Sequence, residues 1–325
     1  MKKLLYLYFC IAVLLSAGLL GAENAKKPRV QVVFVLDTTG SMSGLIQAAK
    51  DKIWAIASTL ATAKPAPDIS MGLVGYRDRG DEYITKFTSL SFDIDKVYAD
   101  LMSYAAGGGG DGEESVNQAL NEAVTKLEWD KDPETYRVIF LVGDWPPHMD
   151  YSNDVKYQET CRSAKEKGII INTIQMGPLA QTIPVWKEIA SLTNGQYFMI
   201  DGSMVHTHYD TPFDKDIAEL AEKYDDTRVY YGDAEAKKES EARERTGDAV
   251  KSGSADSVVA QRMAYNLSEA GKSNFLGGNE LIDRVANGEV KLSDIKTEEL
   301  PPAMQSMTQA ERGKYVADRI AERKK

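Results

Sequence analysis

Cysteine is almost absent from this chain. Only Cys10 and Cys161 occur among its 325 residues, and Cys10 falls within a stretch that we expect to be removed. The remaining thiol has no partner in the same chain, which excludes an internal disulfide and leaves packing to hold the fold together. An exported protein of this kind fits the bacterial periplasm better than a disulfide-rich extracellular setting. We expect Cys161 to pack on a helix rather than to react.

Basic residues are fewer than acidic ones in this chain. The sequence has 39 lysines and arginines against 49 aspartates and glutamates, and its formal net charge is −10. Removal of an N-terminal leader would take away Lys2 and Lys3 and make the net charge more negative. An acidic surface disfavours nucleic acid and anionic lipid as partners. It suits divalent cations and basic protein surfaces instead.

The N-terminus has the pattern of a signal peptide. Lys2 and Lys3 precede an uncharged apolar run from residue 4 to residue 20, and the small residues Gly21 and Ala22 follow. We predict a signal peptide over residues 1–22 and a periplasmic or secreted protein with no membrane insertion after cleavage. The alternative is an N-terminally membrane-anchored protein, since the run is about as short as a spanning helix can be.

Short apolar runs alternate with helical patterns between residues 28 and 225. Residues 32–36 (VVFVL) are continuously apolar, which is typical of a strand buried on both faces of a sheet. Strands that alternate with helices pair in parallel, so the pattern predicts an α/β domain with a doubly wound, mostly parallel, Rossmann-like sheet. Residues 83–90 alternate between polar and apolar and predict one antiparallel edge strand.

The composition changes after residue 225. Residues 235–245 are charged on nearly every side of the predicted helix, with few apolar anchors. We predict that residues 226–325 form a helical, partly ordered C-terminal extension that packs loosely or serves in docking.

Oxygen-bearing side chains follow the first predicted strand. Asp37, Thr39 and Ser41 alternate along a tight turn in which Gly40 lets the backbone approach closely. A carboxylate and two hydroxyls are hard donors, so this turn predicts a site for Mg²⁺, or for Mn²⁺ or Ca²⁺. Asp144 follows another predicted strand, and loops at the carboxyl ends of parallel strands meet at one edge of the sheet. The simpler interpretation of Asp37 is a helix N-cap.

The segment DTTGSMS, residues 37–43, resembles the metal-ion-dependent adhesion site of von Willebrand factor A domains. The family pattern is Asp-x-Ser/Thr-x-Ser, then a threonine in a glycine-rich loop, then an aspartate after the central strand, which Asp144 matches. Residues 76–78, 107–114 and 144–148 are also similar to a bacterial subgroup that includes the domain attached to some α-kinases. The resemblance implies metal-dependent binding of another protein, through an acidic side chain of that partner at the metal.

The glycine-rich loop departs from the family pattern. Residues 107–114 read GGGGDGEE and contain no threonine. Asp111, Glu113 or Glu114 could replace the missing donor, and Asp111 stands directly after the glycines. We therefore include Asp111 among the candidate metal ligands, together with Asp37, Thr39, Ser41 and Asp144.

Two other functions compete with metal-dependent binding. In the first, the metal only holds the loops together and has a structural role. In the second, the chain is similar to haloacid-dehalogenase-like phosphotransferases, with Asp37 as nucleophile and Asp144 and Asp150 as Mg²⁺ ligands. Simple phosphatases of this family need an acid two residues after the nucleophile, where this sequence has Thr39. The P-type ATPase variant tolerates threonine there but carries a lysine where Thr38 stands. A non-enzymatic role is therefore favoured.

Several remaining side chains near the predicted site are ambiguous. Trp145, Pro146 and His148 follow the second aspartate and are candidate contacts for a protein partner. His206 and His208 form a His-x-His pair that could hold a transition metal, although a surface loop explains them as well. We expect residues 77–81 to be a charged hairpin tip.

Overall fold

The computed structural model describes residues 27–61, 63–200 and 211–325. The predicted signal peptide and the pair formed by His206 and His208 lie outside these described residues. Within the described ranges, no helix combines the length and the apolar character needed to cross a membrane.

One six-stranded sheet is formed by strands that lie between residues 29 and 200. Its strands are β1 (Arg29–Asp37), β2 (Asp68–Tyr76), β3 (Thr85–Ser91), β4 (Tyr136–Gly143), β5 (Ile169–Met176) and β6 (Tyr197–Ile200). They lie in the order β3-β2-β1-β4-β5-β6. Every neighbouring pair is parallel except β2 and β3, which are antiparallel. The predicted α/β fold, with a mostly parallel sheet and one antiparallel edge strand, is confirmed.

The apolar run of β1 explains its central position. Val32, Phe34 and Leu36 belong to the core on one face of the sheet, and Val33 and Val35 belong to the core on the other. All five side chains are fully buried. Alternating side chains point to opposite faces of a strand, so only a strand covered by helices on both sides can bury such a run.

Helices cover both faces of the sheet and continue beyond it. In the described part of the chain they are α1 (Ile46–Ala61), α2 (Ile94–Ser103), α3 (Val116–Lys126), α4 (Tyr157–Glu166), α5 (Thr182–Leu192), α6 (Asp214–Asp225), α7 (Ala234–Gly253), α8 (Asp256–Asn266), α9 (Glu269–Leu276), α10 (Leu281–Ala286), α11 (Pro302–Gln305) and α12 (Gln309–Arg323). Cys161 is buried on α4, as the sequence predicts, and burial raises the pKa of its thiol to about 12.

The C-terminal extension packs more closely on the sheet domain than its charge pattern predicts. Arg262 on α8 is 1% exposed and forms two hydrogen bonds of 2.6 Å with the carboxylate of Asp95 on α2. Val250, Tyr265 and Ala270 join the core on the same face as Phe34. These anchors are scattered over three helices rather than repeated along one, so they form no apolar stripe on a single helix.

The connections of β1 and β4 create a crevice at one edge of the sheet. β1 lies between β2 and β4, and the chain leaves it toward β2 and later returns to β4 on its other side. At such a switch point the loops after the two central strands diverge and leave a cleft at the carboxyl ends. We call the loops at this edge, residues 37–44, 105–115 and 144–150, the rim.

The buried pair formed by Arg262 and Asp95 gives a test of how the extension is attached. Arg262→Met would leave the Asp95 carboxylate buried without its partner, and we expect the free energy of unfolding to fall by about 3–5 kcal/mol in guanidinium denaturation. Arg245→Met is the matched control on α7, since Arg245 and its partner Glu241 are both about two-thirds exposed. That change should cost at most about 1 kcal/mol. Equal losses in the two variants would contradict tight attachment.

Candidate functional site

The turn after β1 is held by the carboxylate of Asp37. This side chain is fully buried, and its Oδ1 accepts hydrogen bonds from the backbone N–H of Thr39 at 2.8 Å and from the Thr39 hydroxyl at 2.6 Å. The hydroxyl oxygens of Thr39 and Ser41 lie 3.1 Å apart. Asp37, Thr39 and Ser41, which alternate in the sequence, therefore bring one carboxylate and two hydroxyls into contact.

Asp144 joins this group from the end of β4. The hydroxyl of Ser41 donates a hydrogen bond of 3.1 Å to Oδ1 of Asp144, which is largely buried. The backbone carbonyl of Asp144 also accepts a hydrogen bond of 2.7 Å from the hydroxyl of Thr182 on α5. The structure thus brings Asp37, Thr39, Ser41 and Asp144 together, although they come from segments a hundred residues apart.

Glu114 supplies a third carboxylate to the same place. It is 2% exposed. Gly109 lies next to both Glu114 and Thr39. A Cβ built on this glycine would lie 3.2 Å from Oε1 of Glu114 and 3.5 Å from Cβ of Thr39. The sequence does not decide whether Asp111, Glu113 or Glu114 replaces the missing threonine. The structure places the carboxylate of Glu114 beside Thr39.

Some buried oxygens of this group lack a hydrogen-bond partner within the described structure. They are Oδ2 of Asp37, Oε2 of Glu114 and the hydroxyl of Tyr76. A Cβ added at Gly143 would clash with the Tyr76 hydroxyl and lie 3.1 Å from Oδ2 of Asp37, so the strand end has room only for glycine. Burying a polar atom without a partner costs about 1–3 kcal/mol, and more for a charged group. The group is therefore incomplete as a purely protein arrangement.

The pKa values of Asp37, Glu114 and Asp144 are all raised. Burial raises the pKa of Asp37 to about 7, and the negative charge of Asp144 adds to the shift. Burial raises the pKa of Glu114 to about 9, with further contributions from the charges of Asp37 and Asp78. Burial also raises the pKa of Asp144. All-oxygen donors with excess negative charge fit a hard divalent cation, which would favour the ionised forms.

Backbone hydrogen bonds join the glycine-rich loop to the turn after β1. The N–H of Gly40 donates to the carbonyl of Gly108 at 3.0 Å, and the N–H of Gly107 donates to the carbonyl of Thr38 at 3.0 Å. Gly108 and Gly109 have φ angles of 75° and 76°, which side chains rarely tolerate. The glycines are thus needed for the loop to run beside the turn.

The loop after β4 pairs with Glu114 in the same way. The N–H of Glu114 donates to the carbonyl of Pro146 at 3.1 Å, and the N–H of His148 donates to the carbonyl of Glu114 at 3.0 Å. The ring of Trp145 lies against Gly112. Of the predicted partner contacts, Trp145 and Pro146 are half-buried and His148 is buried. Only the first two offer surface to another molecule.

A second cluster lies on the rim beside the first. Asp78, Asp111 and His148 each place one ligand atom within 4.8 Å of the others, so the three side chains could hold a metal ion. Nε2 of His148 lies 3.5 Å from Oδ2 of Asp78 and 3.4 Å from Oδ1 of Asp111. Asp111, predicted as a ligand beside Asp37, therefore faces His148. Burial lowers the pKa of His148, but Asp150, Asp78 and Asp111 outweigh it and raise the pKa overall.

Residues 77 and 78 take part in the rim, a role that their sequence pattern does not indicate. They were predicted to lie at a charged hairpin tip, yet Arg77 and Asp78 are both buried. Nε of Arg77 donates to the carbonyl of Thr38 at 3.2 Å, and its Nη2 donates to the carbonyl of Ala105 at 3.0 Å, so the guanidinium joins two loops of the rim. The prediction is wrong for these two residues. Asp78 follows the carboxyl end of β2, and the rule applied to Asp37 also covers that position.

The phosphotransferase alternative finds no support in the geometry of Asp150. Its Oδ1 lies 2.8 Å from Nδ1 of His148, and its side chain is 76% exposed. The alternative needs Asp150 beside Asp144 as a second Mg²⁺ ligand.

Comparisons with known proteins identify the fold. A family model described as von Willebrand factor A domain matches residues 31–201, just over half of the chain, and no enzyme family was found. A search of curated proteins gives no match.

Two similar solved structures are proximal thread matrix protein 1 of the mussel byssus and the VWA domain of SpRpn10. The mussel protein is 15% identical, with a TM-score of 0.41, over 55% of this chain and 43% of its own. The SpRpn10 domain is 15% identical, with a TM-score of 0.42, over 54% of this chain and 88% of its own. The chain thus spans less than half the length of the mussel protein.

The raised pKa values predict how the stability of the protein depends on pH when no metal ion is added. The pKa of Glu114 is about 9 in the folded chain, against an ordinary value of 4.5. Between these values the unfolded state binds fewer protons, so the free energy of unfolding should fall as pH rises from about 5 to about 8. Glu114→Gln should flatten this slope and stabilise the protein near pH 8. Denaturant melts at several pH values measure both.

The adjacent exposed acid provides the control for this prediction. Glu113→Gln removes the same charge from a solvated position and should leave the slope as in the wild type. If Glu113→Gln and Glu114→Gln had the same effect, the shift would not come from burial beside Asp37.

Proposed function

The chain belongs to the von Willebrand factor A domain family, and from this premise we propose that it binds another protein through a divalent cation held on the rim. Asp37, Thr39, Ser41 and Asp144 would hold the ion, and Glu114 would take the position of the threonine missing from the glycine-rich loop. The family is typically involved in protein interactions and usually non-catalytic. The proposal makes the chain a binding protein rather than an enzyme.

One observation carries the proposal. Oδ2 of Asp37 and Oε2 of Glu114 are buried and lack hydrogen-bond partners in the described structure, while the hydroxyls of Thr39 and Ser41 link Asp37 to Asp144. Buried polar groups in native proteins are hydrogen-bonded, and buried charges are paired or coordinate metals. A cation among these donors would satisfy both oxygens at once.

The donor set indicates the kind of ion. Carboxylates and hydroxyls are oxygen ligands, which suit Mg²⁺ and also Mn²⁺ or Ca²⁺. When bound, the cation would supply a Lewis-acidic position for a carboxylate of the partner. Because Glu114 adds a third carboxylate, the site carries more negative charge than the family pattern implies, and we expect it to attract an acidic partner less strongly.

The surface around the site suggests where the partner would lie. Ser41 and residues 108–111 are exposed at its mouth, and Trp145 and Pro146 are half-buried beside it. A half-buried tryptophan next to a proline offers rigid apolar area, which protein interfaces favour. We propose that Trp145 and Pro146 contact the partner. The acidic charge of the chain, −10 in total, disfavours nucleic acid in this role.

The structural alternative, in which the ion only holds the loops together, is less well supported. The protein's own hydrogen bonds already join the three loops of the rim, through Gly40 with Gly108, Gly107 with Thr38, and Glu114 with Pro146. The guanidinium of Arg77 adds two more links. An ion is therefore not needed to connect these loops, which favours a role in binding.

We propose an exported location and a bacterial subgroup on the basis of the sequence. The apolar N-terminal run supports a periplasmic or secreted protein, with N-terminal anchoring as the alternative. The resemblance of residues 76–78, 107–114 and 144–148 supports a place in the exported subgroup similar to α-kinase-associated domains. A membrane fractionation of the natural host cell would separate the two locations.

Removal of one ligand tests the ion. Asp37→Asn should weaken Mg²⁺ and Mn²⁺ binding more than about 100-fold in calorimetry, because a direct ligand matters more than the 10–100-fold typical of outer-shell groups. Glu113→Gln keeps the metal group intact and should bind as the wild type does. Unchanged affinity in Asp37→Asn would refute the metal assignment.

Chelation tests the function of the ion. The whole protein, immobilised in Mg²⁺ and exposed to periplasmic extract, should retain a partner that EDTA releases. The Asp37→Asn protein should not retain it, and Glu113→Gln should. Retention that ignores both EDTA and Asp37→Asn would indicate that the ion, if bound, has only a structural role.

A further inference from the structure

We propose that Asp78, Asp111 and His148 form a second metal site, which takes a Zn²⁺-class ion through one imidazole nitrogen and two carboxylates. This cluster shares no side chain with the proposed group around Asp37. The proposal therefore does not depend on a cation at Asp37.

The imidazole of His148 is held with one nitrogen facing the cluster. The side chain is 7% exposed, and its Nε2 makes no hydrogen bond within the described structure. Its Nδ1 lies 2.8 Å from Oδ1 of Asp150. A carboxylate can only accept, so Nδ1 carries a hydrogen, and Nε2 is the ring nitrogen that faces Asp78 and Asp111. Metal-binding histidines typically have such a carboxylate on the other ring nitrogen.

The spacing of the three groups suits an ion better than a direct hydrogen bond. Nε2 of His148 lies 3.5 Å from Asp78 and 3.4 Å from Asp111. A charge-assisted N–H···O contact would be about 2.7–2.9 Å. Two ligand atoms each about 2.1 Å from a tetrahedral Zn²⁺ are about 3.4 Å apart. The two distances from Nε2 of His148 match the second geometry, and all three ligand atoms lie within 4.8 Å of one another.

Neighbouring side chains fix the buried carboxylate of the cluster. The hydroxyl of Ser115 donates to Oδ1 of Asp78 at 2.8 Å, and the hydroxyl of Tyr151 donates to Oδ2 at 2.8 Å. The Tyr151 ring also stacks on His148, with centroids 4.0 Å apart. Each carboxylate oxygen has two lone pairs, so Asp78 keeps a free lone pair on the oxygen facing Nε2. The charge of nearby Arg79 is paired with Asp154 at 2.5 Å.

The donor types indicate a different ion from the one proposed at Asp37. Imidazole suits Zn²⁺ and other late divalent metals, whereas Mg²⁺ and Ca²⁺ prefer oxygen alone. Asp111 is 62% exposed on its side chain, so the cluster opens to solvent on that side. Three protein ligands with an open fourth position are the arrangement of zinc sites that bind water or a further ligand.

Cobalt absorption tests the site directly. In the Asp37→Asn protein, which removes competition from the first group, Co²⁺ should bind in a one-to-one ratio and give a visible band. Asp111→Asn changes an exposed residue and should weaken Co²⁺ binding at least about 10-fold. Asp150→Asn should weaken it about 10–100-fold by releasing the imidazole. His148→Asn should abolish the band, with folding checked by circular dichroism.

The other histidines of the chain provide the control. His206 and His208 are the remaining two of its three histidines, and the His206→Ala/His208→Ala variant should retain the band. A band that disappears in this variant, or persists in both Asp111→Asn and His148→Asn, would overturn the proposal. Absence of Co²⁺ and Zn²⁺ binding in the wild type would also overturn it, and would leave an imidazolium paired with carboxylates.

Discussion

The rest of this structure depends on the burial of carboxylates at the carboxyl ends of the central strands. Asp37 ends β1, Asp144 follows β4, and Glu114 reaches the same crevice from the glycine-rich loop. Burial raises the pKa of each of these carboxyl groups, and neighbouring negative charges add to the shift at Asp37 and Glu114. The hydrogen bonds from Thr39 and Ser41, together with the backbone pairs between the loops, hold the carboxylates in place despite the repulsion between them.

The sequence predicted the sheet and half of the site for a common physical reason. The apolar run of β1 shows a strand buried on both faces, and the polar residues directly after it must then lie at the sheet edge. Asp37, Thr39, Ser41 and Asp144 are short side chains close to strand ends, so their positions follow from the strands themselves. These four residues are in contact as the pattern predicted.

The positions of Glu114 and Asp111 could not be predicted in the same way. Both belong to a loop whose path depends on left-handed glycines and on pairing with the loop after β4. Three acids within four residues look equivalent in sequence, and only that path decides which side chain turns inward. Arg77 and Asp78 were missed because charged residues after a strand usually lie in solvent. The anchors of the C-terminal extension were hidden because they are spread over separate helices.

Glu114 and Ser115 connect the cluster around Asp37 with the cluster around His148. The side chain of Glu114 faces Asp37, while the hydroxyl of its neighbour Ser115 holds Asp78, and the Glu114 backbone pairs with the loop that carries His148. A shift of this short segment would move donors of both clusters at once. The two clusters are therefore connected through the single peptide unit that joins Glu114 to Ser115.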